Sequence, residues 1–235
     1  MRLAGYHPLT LLDYPGKIAS VAFTIGCALR CPFCHNPELI EPTDEYLAQT
    51  GGDKAGEFLE FLKKRQGKLD GVCITGGEPT LQPDLEEFIR EIKSLGFLVK
   101  LDTNGAFPEK VRLLMQTNLI DFWAMDIKHA PEKYSIASGN PHIAIDRFRE
   151  SARLIMESGA DYEFRTTVVP GIHEEEDFDE IGDWIRGARR YALQEFRDMK
   201  ILDPSLAEKS RSKSLNLERI RDRLLGRLPS VEIRR

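Results

Sequence analysis

The sequence predicts an α/β fold in which parallel strands form a sheet covered by helices. Three observations lead there. Short apolar runs alternate with longer amphipathic stretches, strand then helix, about six times along 235 residues. The apolar residues of the longer stretches recur at three- and four-residue spacing, as in Leu85, Phe88, Ile89 and Ile92. Unusual polar residues follow four successive strands, where the chemistry of such folds gathers.

The elements run in order. Residues 18–24 read as the first strand, and a cysteine-rich loop follows it. A helical pattern at 55–65 leads into a strand at 71–75. A helix at 84–95 precedes a strand at 97–102, and a helix at 109–117 precedes a strand at 121–127. The last two pairs are a helix at 143–158 with a strand at 162–169, and a helix at 178–190 with a strand at 193–199. Right-handed crossovers between such strands make the sheet parallel. Periodicity leaves two closures open, a doubly wound sheet and a curved partial barrel.

Residues 207–235 form a different segment, with nine Lys or Arg against four Asp or Glu. Leu217, Ile220, Leu224 and Leu228 give it an apolar stripe, so a capping helix with a solvated basic face is expected, with a docking surface as the rival reading. One domain spanning 1–235 accommodates everything, and its length supports a substantial core.

Composition limits the function. Hydrophobic residues make up 41% and charged residues 30%, as in soluble globular proteins. A net charge of −5 disfavours a nucleic-acid partner. No apolar run approaches the ~20 residues that span a bilayer, and the N-terminus lacks a signal-peptide core. A cytoplasmic protein with no membrane partner is therefore expected. That compartment is reducing, so clustered cysteines there suggest metal or redox chemistry before disulfides.

Three of the four cysteines cluster: Cys27, Cys31 and Cys34, spaced C-x3-C-x2-C. Three soft thiolates suit an iron–sulfur cluster or zinc. A structural zinc site needs a fourth ligand; His35 is too near in sequence to be an obvious one. Three ligands on a four-iron cluster leave one iron open to bind a substrate. Cys73, inside Val72-Cys73-Ile74, reads as a small buried core residue.

With an aromatic before its last cysteine, this spacing resembles the signature of the radical SAM superfamily. The resemblance implies a partial (β/α)6 barrel of parallel strands with outer helices. It also implies a [4Fe-4S] cluster on Cys27, Cys31 and Cys34 that binds S-adenosylmethionine (SAM) and cleaves it to methionine and a 5′-deoxyadenosyl radical. Phe33 and His35 fall among the cofactor-binding positions, with Phe33 near the adenine. Gly76-Gly77-Glu78-Pro79 resembles the family's second motif, in which backbone and Glu bind the methionine amino group.

Two further motifs narrow the resemblance. Leu101-Asp102-Thr103-Asn104-Gly105 and Met125-Asp126-Ile127-Lys128 are similar to segments of the glycyl-radical-enzyme activases. There the matching positions Asp102, Thr103, Asp126 and the Ala124 carbonyl bind a monovalent cation beside SAM. Lys128 matches a Lys that contacts SAM. Phe164-Arg165-Thr166-Thr167-Val168-Val169-Pro170-Gly171 resembles a later activase strand, and Arg165 matches an Arg that helps hold SAM. On the residues alone, Asp102 also suits a turn and Arg165 a strand salt bridge. The activases' later His after the sixth strand has no counterpart in Gln194-Glu195-Phe196-Arg197-Asp198.

Asp13-Tyr14-Pro15-Gly16-Lys17, and Leu193–Arg197 followed by Leu202-Asp203-Pro204, resemble activating proteins of anaerobic ribonucleoside-triphosphate reductase. That resemblance implies a radical SAM oxidoreductase that generates a glycyl radical on that reductase, with flavodoxin or ferredoxin as electron donor. No side chain need act as acid or base. Three alternatives remain at this stage: a pyruvate formate-lyase-type activase, a radical SAM enzyme acting on a small molecule such as a deazapurine precursor, and a non-enzymatic iron–sulfur or zinc module.

Overall fold

The structure is a computed structural model and describes residues 1–49 and 53–235. Eight strands form one sheet in chain order: β1 (Leu3–Thr10), β2 (Ala19–Thr24), β3 (Gly71–Gly76), β4 (Leu98–Thr103), β5 (Phe122–Asp126), β6 (Asp161–Val168), β7 (Tyr191–Glu195) and β8 (Val231–Arg234). β1 runs antiparallel to β2, and every later pairing is parallel. The described helices are α1 (Asp44–Gln49), α2 (Lys54–Lys63), α3 (Leu85–Ser94), α4 (Pro108–Thr117), α5 (Tyr134–Ser138), α6 (Ile145–Glu157), α7 (Asp177–Trp184), α8 (Ser205–Arg211) and α9 (Leu217–Leu224). Among the described residues no helix is long and apolar enough to cross a membrane.

Strand order chooses between the two closures. A right-handed crossover that always steps the same way places each connecting helix on the same face. A doubly wound sheet needs a reversal of order, and this sheet has none. The result is a curved partial barrel, β2–β7, with helices outside.

The two faces of each strand then differ, because side chains alternate along it. Val99 and Leu101 of β4 face outward with Ile74, Trp123, Met125 and Phe164, against Phe58, Phe88, Ile92, Phe148 and Phe178 from the helices. Burial of each such side chain is worth about 1.5–3 kcal/mol. Leu98, Lys100 and Asp102 face inward. At the N-terminal end of the barrel the interior is plugged by Tyr14, Ala19, Phe122 and Ala124, with Leu98 packed on them. The Tyr14 ring lies 5.9 Å from that of Phe122.

Four expectations change. β1 was outside the predicted pattern: it carries Pro8 and half-exposed residues, as an edge strand can. The segment 207–235 is not only helical, since β8 ends it and extends the sheet. The expected helix over 178–190 stops at Trp184. Ile185 and Ala188 are buried and prolong the apolar spacing, but Gly187 at φ +83° turns the chain back. The expected strand over 193–199 is β7, shifted earlier; the chain leaves the sheet at Phe196.

Candidate functional site

A cavity of about 200 Å³ opens at the C-terminal rim of the barrel. All of the predicted site residues line it except Ala124. Ala124 lies low inside the barrel, paired between Asp102 and Glu163 in the ladders.

The cysteine loop forms one wall. Its start is tied down by Gly26 N–H to the Leu39 carbonyl at 2.7 Å and Cys27 N–H to that of Ile40 at 3.2 Å. Cys27 Sγ accepts hydrogen bonds from Leu29 N–H at 3.4 Å and the Asn104 side-chain amide at 3.7 Å. Burial pushes the thiol of Cys27 up to about 11 and that of Cys31 up to about 12. Thiolates there need a bound cation to stabilise them. Among the described residues no three His, Cys, Asp or Glu side chains converge as a single-ion site. Three soft thiols on one cavity wall are a donor set that fits an iron–sulfur cluster.

Above the cysteines, residues 196–203 cross the loop as a strap. Leu202 N–H donates to the Cys34 carbonyl at 3.1 Å and Asp203 N–H to that of Pro32 at 2.9 Å. His35 is exposed and belongs to this contact: its Nε2 lies 3.0 Å from the Arg197 carbonyl, and its ring stacks on Phe196. Phe33 is 4% exposed, with Lys128 Nζ 5.9 Å from its ring centroid.

The second wall comes from the end of β3. Gly76 has φ +112°, and a Cβ there would lie 2.4 Å from Thr24 N; one on Gly77 would lie 2.1 Å from the Gly26 carbonyl. The two glycines let β3 cross the end of β2 in backbone contact. Glu78 departs from expectation. Its carboxylate is fully buried and accepts from Thr103 Oγ1 at 2.8 Å, Asn104 N–H at 2.7 Å, and both Thr80 N–H and Oγ1. Burial raises this carboxyl. Glu78 thus clamps the end of β3 to that of β4.

The floor is a chain of ion pairs on the inner faces of β4, β5 and β6. Arg165 bridges two carboxylates, with Nε 3.0 Å from Asp126 Oδ1 and Nη1 3.2 Å from Asp102 Oδ2. Lys128 Nζ holds Asp126 Oδ2 at 2.9 Å, and Lys100 holds Asp102 Oδ1. Burial would raise both carboxyls, but Arg165, then Lys100 for Asp102 and Lys128 for Asp126, hold them below the usual range. Burial would lower the two lysines, and their aspartates overcome it. Three cations face two anions, so the floor carries one surplus positive charge. Protein cations thus lie at the positions expected to hold a monovalent ion. All four carboxylate oxygens hold protein cations, and the Thr103 hydroxyl donates to Glu78 at 2.8 Å while accepting from Gly105 N–H at 3.1 Å.

Further polar residues surround the site. Lys100 sits in an apolar strand and is 1% exposed. Cys73 is buried as expected, but it faces the barrel interior, 3.7 Å from Lys100 Nζ. Asn104 could have been found as the residue after Asp102-Thr103. His129 and His173 brace the loops after β5 and β6 reciprocally. His173 Nε2 lies 2.9 Å from the Lys128 carbonyl, and His129 Nε2 lies 3.1 Å from that of Ile172. Each ring also accepts a backbone N–H at Nδ1, from Val169 and Ala130, so each carries its proton on Nε2. The rings stack 4.6 Å apart.

Comparison with known proteins bears on the family and the fold. The Radical SAM superfamily profile matches residues 21–185. A Methanocaldococcus jannaschii protein described as a glycyl-radical enzyme activating enzyme is 32% identical over 206 residues, covering 86% of this chain and 82% of the relative. The pyruvate formate-lyase-activating enzyme of Staphylococcus epidermidis is 32% identical over 185 residues, covering 74% and 71%. Among solved structures, SuiB of Streptococcus suis superposes with TM-score 0.65 at 16% identity over 90% of this chain, which spans about half of SuiB (48%). QueE from Escherichia coli gives 0.54 at 15% identity over 89% of each chain. The structural likenesses concern the fold.

Proposed function

The chain belongs to the radical SAM superfamily, in its glycyl-radical-enzyme activating branch, and on that premise we propose how its own residues serve the reaction. Cys27, Cys31 and Cys34 hold a [4Fe-4S] cluster at the cavity wall. The observation that carries the reading is that these thiols and a floor with surplus positive charge line one cavity. When bound, the cluster supplies the electron that cleaves SAM to methionine and the 5′-deoxyadenosyl radical, while the protein orients the cofactor and excludes side reactions.

Lys128 and Arg165 recognise the SAM carboxylate, a role that suits a guanidinium and an ammonium already fixed by Asp102 and Asp126. The backbone of Gly76, Gly77 and Glu78 accepts from the SAM amino group. Phe33 packs near the adenine. His35 acts through the strap, by holding residues 196–197 over the cysteine loop. The Asn104 amide and Leu29 N–H steady the Cys27 sulfur, and such hydrogen bonds tune a cluster's potential. The whole chain, 1–235, works as one cytoplasmic domain.

The substrate is a backbone glycine of a partner enzyme, anaerobic ribonucleoside-triphosphate reductase, with flavodoxin or ferredoxin delivering the electron. Positioning that glycine near C5′ is the protein's main contribution to rate. The resemblance of Leu193–Arg197 and Leu202–Pro204 to the reductase activators supports this partner, since these segments contribute to the strap held against the cysteine loop. The likeness to the staphylococcal enzyme favours a second reading, pyruvate formate-lyase as partner. Paramagnetic resonance separates them. The protein, SAM and reductant are mixed with each candidate partner in turn. A glycyl doublet on the reductase supports the first reading, a doublet on pyruvate formate-lyase alone supports the second, and none on any glycyl radical protein overturns both.

A further inference from the structure

We propose that the Lys100 ammonium takes the place of a free monovalent cation in this site, so that the protein binds SAM without one. The proposal rests on the SAM-binding reading above. Lys100 lies on the inner face of β4, two residues before Asp102, and is 1% exposed. A buried ammonium requires a partner. Its Nζ finds Asp102 Oδ1 and the Cys73 thiol at 3.7 Å. Asp102 is therefore committed from below. Its other oxygen is held by Arg165, which also spans to Asp126. Lys128 takes the last carboxylate oxygen, and Thr103 Oγ1 donates to Glu78.

A monovalent ion at these positions would have to displace a protein cation or join three of them around two carboxylates. Both are unfavourable among like charges in a half-buried cavity. The fixed ammonium also has an advantage over a free ion. It is tethered to the strand that carries Asp102, so its placement needs no ion to be bound and ordered first. The surplus positive charge that meets the SAM carboxylate is then built into the chain.

The test uses the full chain. Equilibrium dialysis with radioactive rubidium, the potassium probe, reads ion binding directly and needs no SAM. The wild-type protein is expected to hold no stoichiometric rubidium. SAM affinity of the cluster-loaded protein is then compared in potassium buffer and in tetramethylammonium buffer, and no change is expected. Lys100→Met frees one oxygen of Asp102. The variant is expected to bind rubidium, and potassium is expected to tighten its SAM binding by about tenfold or more. One rubidium per wild-type chain, a wild-type SAM affinity that falls when potassium is removed, or a variant with wild-type affinity in tetramethylammonium buffer would each overturn the proposal. If the variant does not fold, the two wild-type measurements decide. Absence of SAM binding in every buffer counts against the functional reading instead, and rubidium dialysis still decides the ion question.

Discussion

The two ends of the barrel interior are built by the same strands and do opposite things. At the N-terminal end, Leu98 of β4 and Phe122 and Ala124 of β5 close on Tyr14 as an apolar plug. Two to four residues further along the same inner faces stand Lys100, Asp102 and Asp126, paired to one another and to Arg165 and Lys128. The two-residue period of a strand brings both sets to one face. Position along the strand then decides whether a residue stabilises the fold or serves the cavity. The segment around Asp13 and Tyr14 lies at the plugged end. Its structural work is therefore separate from the chemistry at the rim.

The largest expected effect lies at the rim. Cys31→Ala should abolish iron uptake and SAM cleavage while the far-ultraviolet circular dichroism stays that of the folded chain. Substantial 5′-deoxyadenosine from this variant would break the division. Next comes Arg165→Leu, which strips the bridging cation from Asp102 and Asp126. Leaving charges unpaired this way costs about 3–5 kcal/mol, and SAM affinity should fall in parallel. Thermal unfolding and dialysis of SAM read the two losses, and retained affinity would remove Arg165 from the site. At the other end, Tyr14→Ala should cost about 4 kcal/mol of stability, yet leave SAM affinity of the folded fraction unchanged. A specific loss of affinity would show that the ends are coupled.

A smaller effect concerns pH. The His129–His173 brace needs neutral rings, because protonation removes both Nδ1 acceptors and sets two cations face to face. Burial, and then His129, push His173 down to about 4; burial also lowers His129. Asp177 lies 3.6 Å from His129 but is claimed by Lys133 at 2.6 Å, with Glu174 beside them. Phe178 packs on His173. The unfolded chain binds protons near pH 6.5, where the native rings do not, so stability is full above that value and is lost as pH falls toward about 4. Crossing the window costs about 3 kcal/mol for His173. Unfolding free energies at pH 7 and pH 5 should differ less in His173→Asn than in the wild type; equal slopes would remove the brace from this account.

What the sequence made legible follows this geometry. Strands β2 to β6 were readable because their outer faces are continuous apolar runs packed under helices. The cysteines and the glycine pair were readable because their chemistry depends on local spacing. Lys100 and the two histidines were not, since their partners lie on neighbouring strand ends and only the fold joins them. The clamp made by Glu78 was not legible, since two of its four donors, Thr103 Oγ1 and Asn104 N–H, reach it only through the end of β4. β8 escapes notice because four residues beside a basic helix carry little periodic signal, and its Arg234 finds Glu163 of β6 only over the intervening β7, at 2.7 Å.

The central claim is that three cysteines on one wall carry the reactive cluster. It is tested most directly by anaerobic reconstitution, followed by iron analysis and detection of 5′-deoxyadenosine after adding SAM and reductant. About four irons per chain and reductant-dependent 5′-deoxyadenosine are the expected result. One tightly bound zinc per chain with no SAM cleavage would contradict it.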